Sequence, residues 1–217
     1  MTGIPAGERV LAVIARPGQE SADLGGVLYA FRRMGASLSL ISLTRGEASP
    51  LNSTCQRLEA VRPWELQLAA GVLGISSVTV ADYADGGLCR YPVAELTGRV
   101  RRAIREHAPG LLLVVDPAGG DPDDAVVAAA TCDAAGQAGL PVVARTTPAA
   151  RDSWVIDLGA EAATARAIQR SAAAAHASQA DALPDTERRL DLLDGWEHLR
   201  WLVPRHQGTP RKLLAAA

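Results

Sequence analysis

Short runs of Val, Ile and Leu recur along the chain and alternate with stretches patterned at helical spacing. The purest run is Leu111 to Val115, LLLVV. Apolar side chains at odd and even positions alike require a strand covered on both faces. Residues 8–15, 37–43, 77–81, 111–115, 141–145 and 153–157 read as strands of this kind. Helical patterns occupy 22–34, 53–73, 93–107, 122–138 and 161–180, with a last helix at 186–202. This order predicts an α/β fold, a single-domain Rossmann-like three-layer sandwich around a mostly parallel sheet. With 217 residues, 48% of them apolar, the chain is long enough for one sizeable core. No repeat or linker divides it, so 1–217 reads as one domain, with the final HQGTPRKLLAAA loosely held.

Charge and cysteine usage exclude several classes of function. A formal net charge of -2 and only short basic runs argue against nucleic-acid binding. Arg32–Arg33, Arg101–Arg102 and Arg188–Arg189 fall in helical patterns and read as solvated faces. Cys55, Cys89 and Cys132 lie far apart, which fits a reducing compartment and neither a disulfide framework nor a cysteine zinc site. None has a His or Lys near it in sequence, so none reads as a nucleophile. MTGIPAGERV lacks the apolar core of a signal peptide, and no stretch reaches the roughly 20 apolar residues of a membrane span. The expectation is a cytoplasmic protein with a small-molecule ligand, no nucleic-acid or membrane partner, and self-association left open. A single Lys, at 212, against many Arg is a usage associated with GC-rich bacterial genomes.

In a parallel sheet the ligand crevice lies at the carboxyl ends of the strands. Residues 15–21, 44–49 and 116–124 should line it. In the last segment Asp121, Pro122, Asp123 and Asp124 precede a helix. Asp121 suits the cap, Pro122 the first turn, and two acids there oppose the helix dipole. The same carboxylates also suit a hard cation or acid–base work. Gly25-Gly26 lies within a helical pattern and Gly86-Gly87 follows a short turn, so neither reads as a phosphate loop. Trp64, Trp154, Trp196 and Trp201 read as core or interface residues.

Several short motifs, in order, give the chain a resemblance to a known family. They are Ala15-Arg16-Pro17-Gly18-Gln19-Glu20 followed by Leu24-Gly25-Gly26, then Thr44-Arg45-Gly46-Glu47, and Arg62, Glu65 and Ala69 on one helix. Leu73-Gly74-Ile75, Asp82 to Leu88, Asp121-Pro122-Asp123-Asp124 and His176-Ala177-Ser178-Gln179 follow. Over residues 8–180 this series resembles the LmbE/PIG-L family of zinc-dependent N-acetylglucosaminyl deacetylases. The family's first motif is Ala-His-Pro-Asp-Asp-Glu, and its second is His-Pro-Asp-His.

The resemblance places the family's zinc ligands at Arg16, Gln19 and Asp124, its general base at Gly18, and an intermediate-stabilising His at Asp121. None of these positions holds the family's residue, whereas Pro17, Glu20, Pro122 and Asp123 do. Arg cannot ligate a cation, and Gln offers only a neutral amide oxygen. Without the metal, water keeps its high pKa. Arg16 is therefore expected to pair with Asp121, Asp123 or Asp124 in place of the metal's charge, with no metal and no cofactor. Asp123, Asp121 and Glu20 are the candidates for acid–base chemistry. Arg16, Gln19, Arg62, Glu47, Asp124 and His176 are the candidates for ligand binding. Three functions follow: a deacetylase-like protein that has lost zinc hydrolysis and keeps a pocket for a sugar or natural-product-like metabolite; a metal-free enzyme of altered chemistry; and a metal-dependent deacetylase with an unusual ligand set.

Overall fold

The structure is a computed structural model, and it describes residues 7–50 and 57–204. Seven strands form one sheet in the order β3-β2-β1-β4-β5-β7-β6. They are β1 (Arg9–Ile14), β2 (Ser37–Thr44), β3 (Ser77–Tyr83), β4 (Leu111–Val115), β5 (Val142–Arg145), β6 (Trp154–Asp157) and β7 (Trp196–Val203). The first five run parallel, and β7 pairs antiparallel with both β5 and β6. The α/β class, the parallel core and the layer order are those the apolar runs predict.

Alternation along each strand divides the core. Val10, Ala12 and Ile14 of β1 meet α2 (Gly25–Arg33), α3 (Leu58–Leu73) and α6 (Ala162–Ala174), through Leu28, Phe31, Leu66, Leu73 and Ala172. Leu11 and Val13 meet α4 (Val93–His107) and α5 (Pro122–Ala138) on the other face, through Leu96, Val100, Val127 and Ala134. Each fully buried Leu, Ile or Phe contributes about 1.5–3 kcal/mol of transfer free energy, which makes this two-sided core the main stabilising term. Among the described residues, no helix is long and apolar enough to cross a membrane.

The sequence pattern misplaces three elements. Residues 186–202 do not form one helix: α7 spans Leu183–Leu192, and the chain then turns through Asp194, at φ 51°, into β7. Glu197 and Arg200 give the strand a helix-like polarity, but both pair with side chains distant in sequence. The helix read at 22–34 is α2, starting at Gly25, with a separate turn, α1 (Gln19–Ala22), before it; within α2, Gly25 and Gly26 press against Gln169, Arg166 and Glu197, leaving no room for a Cβ. The helix read at 161–180 ends at Ala174, and a 3-10 turn over Ala177–Ala182 follows. Cys55, the start of the helix read at 53–73 and the HQGTPRKLLAAA tail lie outside the described residues.

Candidate functional site

The chain reverses its strand order between β1 and β4, and the loops after these strands face each other at the carboxyl edge of the sheet. After β1 the loop carries Arg16 to Glu20. Gly18 sits at φ 102°, a conformation that side chains with a Cβ resist, and opens α1. After β4 the chain reaches α5, which Asp121 caps by accepting from the Asp123 amide at 2.9 Å, with Pro122 in the first turn.

Arg16 joins the loops. Its Nη1 donates to Asp121 at 2.6 Å, its Nη2 to Asp123 at 3.3 Å and its Nε to Asp85 at 2.8 Å. Burial alone would lower the Arg16 pKa, but the hydrogen bonds to Asp121 and Asp85 outweigh it and raise the pKa well above the usual value. The Arg16 bond holds the Asp121 carboxyl below its ordinary range. Side-chain exposure separates the three acids: 35% for Asp121, but only 3% for Asp85 and Asp123.

Asp123 is already committed to the backbone. Its oxygens accept the amides of Gly86 and Leu88 at 2.8 and 3.0 Å, which ties down the loop after β3. Asp85 likewise accepts from the Ala48 amide and the Thr44 hydroxyl, and its own amide donates to Glu47 at 2.8 Å. Glu47 thus braces this loop. Gln19 spans two roles: its Oε1 accepts from the Ala15 and Arg16 amides, and its Nε2 donates to Asp124 at 2.7 Å. Burial pushes the Asp124 carboxyl up to about 6.

Glu20 is fully buried. It meets His176 Nε2 at 2.6 Å and accepts from the Ser21 hydroxyl and the Gly18 amide. Burial would raise its pKa, but His176 overcomes this and lowers it. Glu20 and His176 therefore lock α1 to the segment after α6. Arg62 is buried too, and its guanidinium donates to the carbonyls of Gly46 and Pro17. At Gly46, at φ 74°, a Cβ would run into that guanidinium. Desolvation lowers the Arg62 pKa. Glu65, one turn on, accepts the Ser178 amide and hydroxyl, each at 2.7 Å.

A cavity of about 370 Å³ opens beside this network, lined by Arg16, Arg62, Asp85, Gly86, Ala48, Ser49, Pro50 and Gln179. Arg16 and Arg62 are the only sequence-predicted site residues on its wall. Asp121 and Asp123 meet Arg16 but do not line the cavity, and Glu20, Gln19, Asp124, Glu47 and His176 support it from outside. Sequence reasoning did not single out Asp85 or Gln179 as site residues, and placed Ser49 only within the 44–49 segment expected to line the crevice. Asp85 and Gln179 stand inside motifs noticed for the resemblance, and that was the available signal. Trp64 is 63% exposed, outside any core, whereas Trp154 and Trp201 stack at 5.8 Å. Cys89 is exposed and Cys132 partly buried, its thiol pKa raised by burial.

The donor set does not fit a zinc ion. Arg16 carries a fixed positive charge, the Gln19 oxygen faces backbone amides, and Asp124 is held by the Gln19 amide. Among the described residues no three His, Cys, Asp or Glu side chains are placed to hold a metal.

The chain is 29% identical over 113 residues to the probable N-acetyl-alpha-D-glucosaminyl L-malate deacetylase 2 of Bacillus anthracis, half of each chain. It spans about half the length of the curated relatives it matches. Among solved structures, the N,N'-diacetylchitobiose deacetylase of Pyrococcus horikoshii superposes with a TM-score of 0.74 at 16% identity, covering 90% of this chain and 84% of that one. The 4-carboxy-2-hydroxymuconate hydratase of Pseudomonas putida KT2440 superposes with a TM-score of 0.71 at 18% identity, covering 94% and 99%. These likenesses bear on the fold. The family model described as PIG-L, GlcNAc-PI de-N-acetylase, matches residues 11–135, from β1 through most of α5 and so across both loops that Arg16 joins; by that match the chain belongs to the PIG-L family.

Proposed function

We propose that this chain is a deacetylase-like PIG-L domain that has lost zinc-dependent N-deacetylation and keeps its cavity for a small sugar or natural-product-like metabolite. One observation carries the proposal: the Arg16 guanidinium occupies the centre of Asp85, Asp121 and Asp123. A divalent cation brought to the same carboxylates would meet a guanidinium that cannot lose its charge. The cavity wall offers a ligand Arg62, Ser49 and Gln179, groups suited to hydroxyl and amide oxygens. Deacetylases recur among the relatives, and a hydratase shares the fold, so the fold alone does not commit the chain to one reaction.

The test is metal content by mass spectrometry on protein purified without chelator or nickel affinity, followed by zinc add-back and an acetate-release assay on N-acetylated amino sugars. No bound zinc and no acetate release are expected. One equivalent of zinc with acetate release overturns the proposal.

A further inference from the structure

Arg145 ends β5 at the carboxyl edge of the sheet and does not line the cavity. It is 9% exposed. The strand alternation turns it to the same face as Val143, toward α1 and α6. Its Nε is sealed from solvent without a hydrogen-bond partner, in an ion pair at 3.7 Å with Glu197 Oε2, which likewise makes no hydrogen bond. Its two Nη atoms make no hydrogen bond among the described residues either, yet they are not sealed. A guanidinium that makes no hydrogen bond among the described residues is rare inside a protein, where polar groups are almost always satisfied.

The neighbours explain why it is idle. Glu197 is taken by Arg166, which also donates to Gln169 and to the carbonyls of Asp194 and Trp196. Asp23 is taken by Arg189 at 3.0 Å. Glu20, the next carboxylate along, is engaged by His176, Ser21 and the Gly18 amide. On the opposite face Asp116 and Arg200 satisfy each other at 2.6 and 2.7 Å. Asp23 and Glu197 are thus already hydrogen-bonded to Arg189 and Arg166, and among the described residues Arg145 is left without a hydrogen-bonding carboxylate of its own.

We infer that Arg145 anchors one singly charged oxyanion, a small carboxylate, at the carboxyl end of β5. A planar carboxylate matches the guanidinium fork with two parallel hydrogen bonds. A doubly charged anion would be repelled more strongly by the carboxylates of Glu197 and Asp23 nearby. The site is separate from the cavity of the proposed function and does not depend on what that cavity holds.

The experiment is a formate titration of the full chain, with sodium formate replacing sodium chloride at constant ionic strength, followed by nitrogen-15 NMR of the arginine side chains and by thermal melting. The Arg145 signals, assigned by their loss in Arg145→Met, should move saturably with a millimolar midpoint, and the melting temperature should rise. Arg145→Met should cut that rise at least fivefold, and Arg145→Lys, which keeps the charge but not the fork, should weaken binding about tenfold. If Arg145→Met does not fold, Arg145→Lys supplies the assignment and the wild-type titration decides. No saturable movement at Arg145, an undiminished rise in Arg145→Met, or tighter binding of inorganic phosphate than of formate overturns the inference.

Discussion

Arg16 Nη1 and Asp121 Oδ2 meet at 2.6 Å across 105 residues of chain. The contact bridges the loops after the two central strands where the strand order reverses. Arg16→Ala removes it and leaves Asp85 and Asp123 buried without their cation. The expected loss is about 2–3 kcal/mol at pH 7, below the figure for a fully buried pair because Arg16 is 23% exposed on its side chain. The deficit should shrink as pH falls below the ordinary Asp range, because the Arg16 bond holds the Asp121 carboxyl low and its contribution is lost in acid. Urea unfolding of both proteins from about pH 2 to 8 checks this.

Asp124→Asn should stabilise the fold. Its pKa is raised from 3.8 to about 6 in the folded chain, so ionisation is penalised there and not in the unfolded chain. Wild-type stability contributed by the neutral form is complete below about pH 4 and is lost as pH rises through 6. Asn cannot ionise and still accepts the Gln19 amide. The variant should gain up to about 2–3 kcal/mol at pH 8 and little at pH 4, read from paired urea midpoints.

Glu20→Gln should act in the opposite direction. The Glu20 pKa is lowered by His176, so its stabilisation is present above the unfolded value and fades as pH falls through the folded one. A loss of about 2 kcal/mol at neutral pH, vanishing in acid, is expected. A pH-independent loss would mean that packing rather than the Glu20–His176 pair accounts for it.

Asp123→Ala should free the loop after β3. The amides of Gly86 and Leu88 lose their acceptor, and their hydrogen exchange should speed at least tenfold, about 1.4 kcal/mol of local opening. Unchanged exchange at both amides would remove Asp123 as the loop's tether.

Much of the frame was legible because it rests on local rules. LLLVV can be little other than a strand covered on both sides, and Asp121-Pro122 announces a helix start wherever it stands. What escaped depended on distant partners. Trp196 to Val203 looks helical by polarity, since nothing in that octapeptide shows that Arg166 and Asp116 wait for Glu197 and Arg200. Glu20 reads as a free acid until His176, 156 residues away, is placed against it. Asp85, which gathers Arg16, Thr44 and Ala48, stands in the Asp82 to Leu88 motif, but that motif does not show which partners converge on it.

The φ of 102° at Gly18 bears on how this loop can change by mutation. Asp, the family's residue at that position, would enter a conformation costly for any side chain, on the order of 1–3 kcal/mol. Replacing Arg16 alone strands two buried acids, and replacing Gln19 alone frees the amides of Ala15 and Arg16. Each single step toward a metal-binding loop goes downhill in stability before any ligand set exists to recover it. The loop is a local optimum that point mutation leaves only through weaker intermediates.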